Sequence, residues 1–193
     1  DLKEKCFLLP LVFSQTDAWV LAFGDSKLKF FTDQGPVVES AKNITAITKA
    51  SPGVITSNSH GYSNGDEIYI QSVGGMTELN ERFFIVAGVT ANTFTLVDMW
   101  GTAVNTTSYT TYTSGGTAKR LYKIVSPYPI ADLFDSTTGC WKLSWAQSAD
   151  VTYICVPGYQ PRKLTRTSAT GWAFSVFEPT GGPFVGTDPD ETV

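Results

Sequence analysis

The chain has 193 residues, with 14 lysines and arginines against 18 aspartates and glutamates, one histidine, three cysteines and a net charge of -4. Outnumbered cations argue against phosphate neutralisation, and so against sequence-specific nucleic-acid binding; scattered Cys6, Cys140 and Cys155 beside a single histidine argue against a disulfide framework or a closed zinc site and fit folding in a reducing cytosol. The longest apolar run, CFLLPLVF, is far short of the ~20 residues of a membrane helix and contains Pro10, so no membrane role is expected.

No segment keeps apolar residues at i, i+3, i+4 and i+7 for three turns, whereas short alternating runs of β-branched and aromatic residues recur, so the chain reads as all-β. In DAWVLAFG, Trp19, Leu21 and Phe23 share a face; Gly24 and Asp25 turn the chain; SKLKFF returns with Leu28 and Phe30 on one side and Lys27 and Lys29 on the other, a hairpin. Strands are predicted at TAITKA, GVITS, DEIYIQSV, RFFIVAGV, TFTLVD and GGTAKRLYKIV. SPYPIADLFDS predicts one helical turn after its prolines, and KLSWAQ, VTYICV, RKLTR and WAFSVF predict a four-stranded meander, as in a propeller blade or one sheet of a sandwich.

Between about Asn43 and Ala118 the composition turns to Thr, Asn, Ser and Gly with few charges. This stretch reads as a self-contained barrel of five or six strands, inserted into a discontinuous unit of residues 1–42 and 119–193. A first residue other than Met and the end GTDPDETV suggest a fragment of a longer protein.

Gly61-Tyr62-Ser63-Asn64-Gly65 spells the G-x-S-x-G of a hydrolase nucleophile elbow, with His60 beside it. An elbow needs a strand before the serine and a helix after it, with the histidine last in chain order; here a strand follows and His60 comes first. The stretch therefore reads as a turn in which Gly61 and Gly65 take positive φ, Ser63 and Asn64 bond locally to backbone, and His60 packs or faces water. Asp66 and Glu67 lack the spaced oxygen ligands of a calcium loop and read as solvated turn charges. Arg162, Lys163 and Arg166 beside Tyr159 have the composition of a single-strand nucleic-acid edge but read as protection of an exposed sheet edge. Trp141, Trp145 and Trp172 read as core, and Cys155 in VTYICV as a buried, inert thiol. Asn43-Ile44-Thr45 and Asn105-Thr106-Thr107 would be glycosylation sites only in a protein secreted by a eukaryote. No dinucleotide or phosphate-binding glycine loop occurs, and no catalytic, cofactor-binding or metal-binding residue is assigned.

LLPLVFSQTDAWVLAFGDSKLKFFTDQGPVV, YKIVSPYPIADLF, WAQSADVTYICVPGYQPRKLTRTSATGWAF and GGPF resemble, in order, parts of the tail nozzle (tail tubular protein B type) family of short-tailed bacteriophages and prophages. The stretch ITAITKASPGVITSNSHGYSNGDEIYIQSVGGMTELNERFFIVAGVTANTFTLVD with YTSGGTA resembles a small β-barrel module of phage structural proteins that is similar to the FCCH domain of ubiquitin-activating enzymes. The resemblance implies a structural virion component made in the bacterial cytoplasm. It implies a ring of identical subunits at the distal end of a tail, in contact with tail adaptor proteins and forming part of the DNA conduit, without catalysis or cofactor. An acidic conduit lets DNA slide where a basic one would hold it. The family's members are several-fold longer, so most ring contacts lie elsewhere and the isolated chain is expected to be a monomer.

The alternative is a receptor- or polysaccharide-binding module that contacts a host surface glycan through exposed Tyr62, Tyr109, Tyr112 and Trp100. For WGTAVNTTSYTTYTSGG the competing expectation is an ordinary solvent-facing hairpin. A third reading, a tail-associated cell-wall hydrolase, would have only Asp66, Glu67 and His60 to work with.

Overall fold

A computed structural model describes residues 5–14, 17–33 and 35–178. The GGPF motif and GTDPDETV lie outside the described residues.

The N-terminal hairpin forms where alternation places it. Strand β1 (Phe7–Val12) lies beside β2 (Ala18–Gly24), which turns at Asp25 and Ser26 into β3 (Lys27–Thr32), with Leu21 opposite Phe30 and Phe23 opposite Leu28. Ser26 takes the positive φ of 54° that the tight corner demands. The short β4 (Gly35–Pro36) shares the other edge of β3 with a later strand.

The chain then enters a second, curled sheet of β5 (Lys42–Asn43), β6 (Ala46–Ile47), β7 (Val54–Thr56), β8 (Glu67–Gly74), β9 (Arg82–Ala87), β10 (Thr93–Val97) and β11 (Ser114–Arg120), in the order β5-β11-β8-β9-β10-β7-β6. Its first and last members are one stretch of chain. Between them, the Ile44 N–H donates to the Gly116 carbonyl and the Thr45 N–H to the Thr56 carbonyl, each at 2.9 Å. Residues 42–47 thus pass from one edge of the sheet to the other, giving it a barrel-like form whose interior holds Tyr62, Ile68, Ile70, Phe84 and Phe94.

Two expectations need correction here. GGTAKRLYKIV is not one strand but two, β11 and β12 (Lys123–Val125), in different sheets. The break comes where the backbone changes partners: the Leu121 N–H bonds the Glu67 carbonyl, and the Tyr122 N–H bonds the Val37 carbonyl, each at 2.8 Å. The stretch 100–116, expected as a hairpin, is a long loop over 100–113 with one bridge, Val97 to Ala103, and only then enters β11. Buried Thr106 pins it by donating to the Thr48 carbonyl at 2.7 Å, and Glu78 accepts from both the backbone and the hydroxyl of Thr110. Side-chain anchors can replace a ladder when polar residues are this dense.

Beyond β12, Pro129 opens the single helical turn α1 (Ile130–Leu133), followed by the two-residue strands β13 (Phe134–Asp135) and β14 (Cys140–Trp141). The predicted meander follows in chain order: β15 (Ser144–Ser148), β16 (Val151–Cys155), β17 (Arg162–Ser168) and β18 (Gly171–Val176). It packs on the inner face of the first sheet. Trp172 stacks on Phe30 with centroids 4.6 Å apart and meets Trp19 at 5.5 Å, while Phe174 meets Phe23 at 6.5 Å. One core joins buried residues from Leu9 to Val37 with those from Tyr128 to Trp172; the second is drawn from Ile44 to Ala118, and the two clusters share no member.

The meander overturns three further expectations. RKLTR is an interior strand between β16 and β18, so it protects no edge. Arg166 instead lies 3.8 Å over the Phe13 ring and pairs with Asp17 and Asp150, each at 2.9 Å, joining the meander to the first sheet. Cys155 is exposed, because alternation with fully buried Ile154 turns it outward. Among the tryptophans, Trp172 is buried and Trp141 packs half-buried on Phe134, but Trp145 on the edge strand β15 is 41% exposed.

Candidate functional site

The His60–Asp66 loop was the sharpest chemical candidate, and its geometry separates the two groups an esterase would join. His60 is 2% exposed, its ring set between Tyr62 and Phe94 with centroids about 5 Å away, and its Nδ1 accepts the Tyr62 N–H at 3.0 Å. Ser63 is exposed on the loop outside. No strand runs directly into it, since β7 ends at Thr56, and β8 rather than a helix follows, so the elbow's architecture is missing. Gly61 and Gly65 do take positive φ, 69° and 86°. Asn64, expected to bond locally, instead accepts at 3.2 Å from the N–H of Val89, just past the neighbouring strand β9.

Asp66 and Glu67 are not solvated turn charges. Asp66 is 7% exposed and accepts the Ser63 N–H at 2.9 Å, the Arg120 Nη1 at 3.0 Å and the Lys123 Nζ at 3.2 Å. Glu67 accepts the Lys29 Nζ at 2.6 Å. Arg120 also donates from Nη2 to Glu39 at 2.7 Å and from Nη1 to the Gly61 carbonyl at 3.2 Å. Burial alone would raise the Asp66 carboxyl, but the Ser63 N–H and the two cations outweigh it and hold it below the ordinary carboxylate range. The Glu39 and Asp66 carboxylates raise the Arg120 guanidinium in turn.

Those six side chains span the line between the sheets. Lys29 and Lys123 belong to the first sheet, Glu67 and Arg120 to the curled one, so two carboxylates at the head of β8 tie one to the other. Sequence reasoning found Asp66 and Glu67 but not Arg120, Lys123, Lys29 or Glu39, because no local spacing links residues up to 81 positions apart. Among the described residues no three His, Cys, Asp or Glu side chains gather as a metal site.

The aromatic face expected for a glycan is largely dismantled. Tyr62 is 6% exposed, its hydroxyl donating to the Ala118 carbonyl at 2.8 Å inside the barrel, which corrects its placement on a stacking surface. Tyr109 and Tyr112 are half-buried against the same core, and the Tyr112 hydroxyl donates to the Gly115 carbonyl at 2.9 Å. Trp100 remains, 89% exposed, beside half-exposed Met99.

A cleft of about 540 Å³ opens where the β4 segment meets the outside of the curled sheet, lined by Pro36, Val38, Tyr69, Glu81, Phe83 and Lys119. Lys119, Tyr69 and Phe83 form one cross-strand row over β11, β8 and β9, with the two rings 5.0 Å apart. Outward Tyr69 follows from the alternation of DEIYIQSV; its neighbours in the cleft do not.

Residues 50–121 match the family model of the Ubiquitin-activating enzyme E1 FCCH domain. The match covers the curled sheet from the turn before β7 to one residue past β11, so this part of the chain is an FCCH-like module. It contains no cysteine, the reactive group an activating enzyme requires. Among curated proteins, none matches the chain.

Proposed function

We propose that the chain is a structural piece of a short-tailed bacteriophage virion, part of the distal nozzle ring. Residues 1–42 and 119–193 form one discontinuous unit, with the FCCH-like module over 43–118 inserted into it. One observation carries the reading. The segments that resemble the nozzle family are separated by some 80 residues of insert, yet Trp19 and Phe30 from before it share a core with Tyr128, Ile154 and Trp172 from after it. The module keeps its own core and leaves and rejoins the rest at adjacent points, with Lys42 opposite Ala118. That is how an insertion is tolerated: its ends lie close together and little of the host's packing is disturbed.

The role is packing, not chemistry. Such a subunit would contact copies of itself and tail adaptor proteins, and the chain's excess of carboxylates suits a passage through which DNA slides. The ion pairs about Asp66, Arg120 and Glu67 would hold the inserted module in a fixed orientation, as a projection from a ring requires.

Electron microscopy of parent virions with a nanobody raised against this chain tests the proposal. Label at the distal tip of a short tail is the expected result. Label on fibres or capsid, or none on intact particles, would overturn it.

A further inference from the structure

We propose that the Met99–Trp100 tip of one copy of this chain seats in the cleft of a second copy between Pro36, Val38, Tyr69 and Phe83. The tip is built to be displayed. Asp98 accepts the Trp100 N–H at 3.0 Å and the Thr102 N–H at 2.8 Å through one carboxylate oxygen, while its own N–H donates to the Thr102 carbonyl at 2.8 Å. Gly101 closes the turn at φ 94° with its N–H on the Asp98 carbonyl. A turn fixed by four backbone contacts loses little further entropy on docking, and it presents a side chain of the type most enriched at binding hot spots.

The cleft is equally preformed. Its floor is the Lys119, Tyr69 and Phe83 row on three hydrogen-bonded strands, and its wall is held by the bridge of Val38 to Leu121 and by the Glu39 N–H on the Arg120 carbonyl. At about 540 Å³ it has room for an indole. Its two charges match what a buried tryptophan brings: Glu81 offers an acceptor for the indole N–H, and Lys119 a cation for the ring face and for Asp98 at the base of the tip. Neither Glu81 nor Lys119 has an ion-pair partner among the described residues. Tip and cleft are complementary halves on the same chain, and the 89% exposure of Trp100 excludes the two meeting within one copy. The contact does not depend on the tail reading; it would operate in any assembly of this chain.

One anchored side chain makes a small interface, so affinity is weak, with a dissociation constant on the order of 1 mM. Sedimentation equilibrium of the whole chain from about 10 µM to about 2 mM, alongside Trp100→Ala and Phe83→Asp, reads it directly, the range bracketing that weak constant. The wild type is expected to be monomeric at the bottom of the range and associated at the top, and each variant about tenfold weaker or more, the loss of one hot-spot side chain. Both substitutions fall on exposed side chains, and unchanged circular dichroism verifies folding. The decisive sample is the equimolar mixture of the two variants: Trp100→Ala keeps an intact cleft and Phe83→Asp an intact tip, so association returns. A wild type that stays monomeric, association that survives Trp100→Ala, or a silent mixture overturns the proposal. So does a blue shift of tryptophan emission at about 10 µM chain on adding soluble bacterial polysaccharide that is lost in Trp100→Ala, which would assign the tip to a sugar. Failure here leaves the labelling experiment on virions untouched.

Discussion

Replacing Asp66 by Asn removes one charge from the middle of the junction and little else. The amide keeps the shape and still accepts the Ser63 N–H, but it forfeits the charged contacts to Arg120 and Lys123 at 3.0 and 3.2 Å. Hydrogen bonds to charged groups contribute about 1.5–3 kcal/mol each, a gross loss of about 3–6 kcal/mol. Two effects reduce it. The cations' side chains are 29% and 32% exposed, so water screens them, and Asn avoids the desolvation cost of a buried carboxylate. The net expectation is a loss of about 2 kcal/mol, or a fall in Tm of about 4–8 °C for a chain of this size.

The pH dependence makes the test specific. Asp66 is held below its unfolded value of about 3.9, so its contribution is complete above that pH and is lost as pH falls through the folded pKa. Thermal and urea unfolding followed by circular dichroism should therefore show the full deficit of Asp66→Asn at pH 7 and a shrinking one below pH ~3.9, as the wild type itself protonates. An equal deficit at pH 7 and at acid pH, or none at pH 7, would refute the electrostatic account of the junction.

Gly75→Ala should cost more than 2 kcal/mol, about the range for strained or overpacked backbone sites, because Gly75 sits at φ 81° and a methyl group there would collide with the Thr111 carbonyl and Thr113 backbone; denaturant midpoints measure it. Burial pushes the Tyr128 phenol up to about 12 and the Tyr62 phenol up as well. Since both folded values lie above the unfolded one of about 10, their stabilisation is present below that pH and lost as pH rises through the folded values; tyrosinate absorbance should show both ionising late or only with unfolding. All three cysteines should react with a thiol reagent in the native state without denaturant, whereas a reactive count of two would restore a buried Cys155.

Particular residues show where legibility stopped. The alternation Trp19, Leu21, Phe23 and Leu28, Phe30 carries the hairpin in full, since each residue's face follows from its neighbours two positions away. The helical turn after Pro129 and the meander are read equally well, being set by proline geometry and by turn residues at short spacing. Cys155 was misread because an apolar string does not say which of two faces is covered. Tyr62 and Asp66 were misread because their loop, polar by composition, folds back over the end of the barrel, taking the tyrosine into the core and the carboxylate to Arg120.

Local sequence is enough to specify an all-β chain and most of its strands, because backbone pleat and turn chemistry are properties of neighbouring residues. Only the folded chain brings Lys29, Glu39, Asp66, Glu67, Arg120 and Lys123 into one junction and sets Tyr69 and Phe83 as the floor of a cleft beside Pro36, whereas the exposure of Trp100 was already expected from its polar surroundings. Charge pairing and solvent exposure depend on which distant strands meet, and that is settled by the packing of whole sheets.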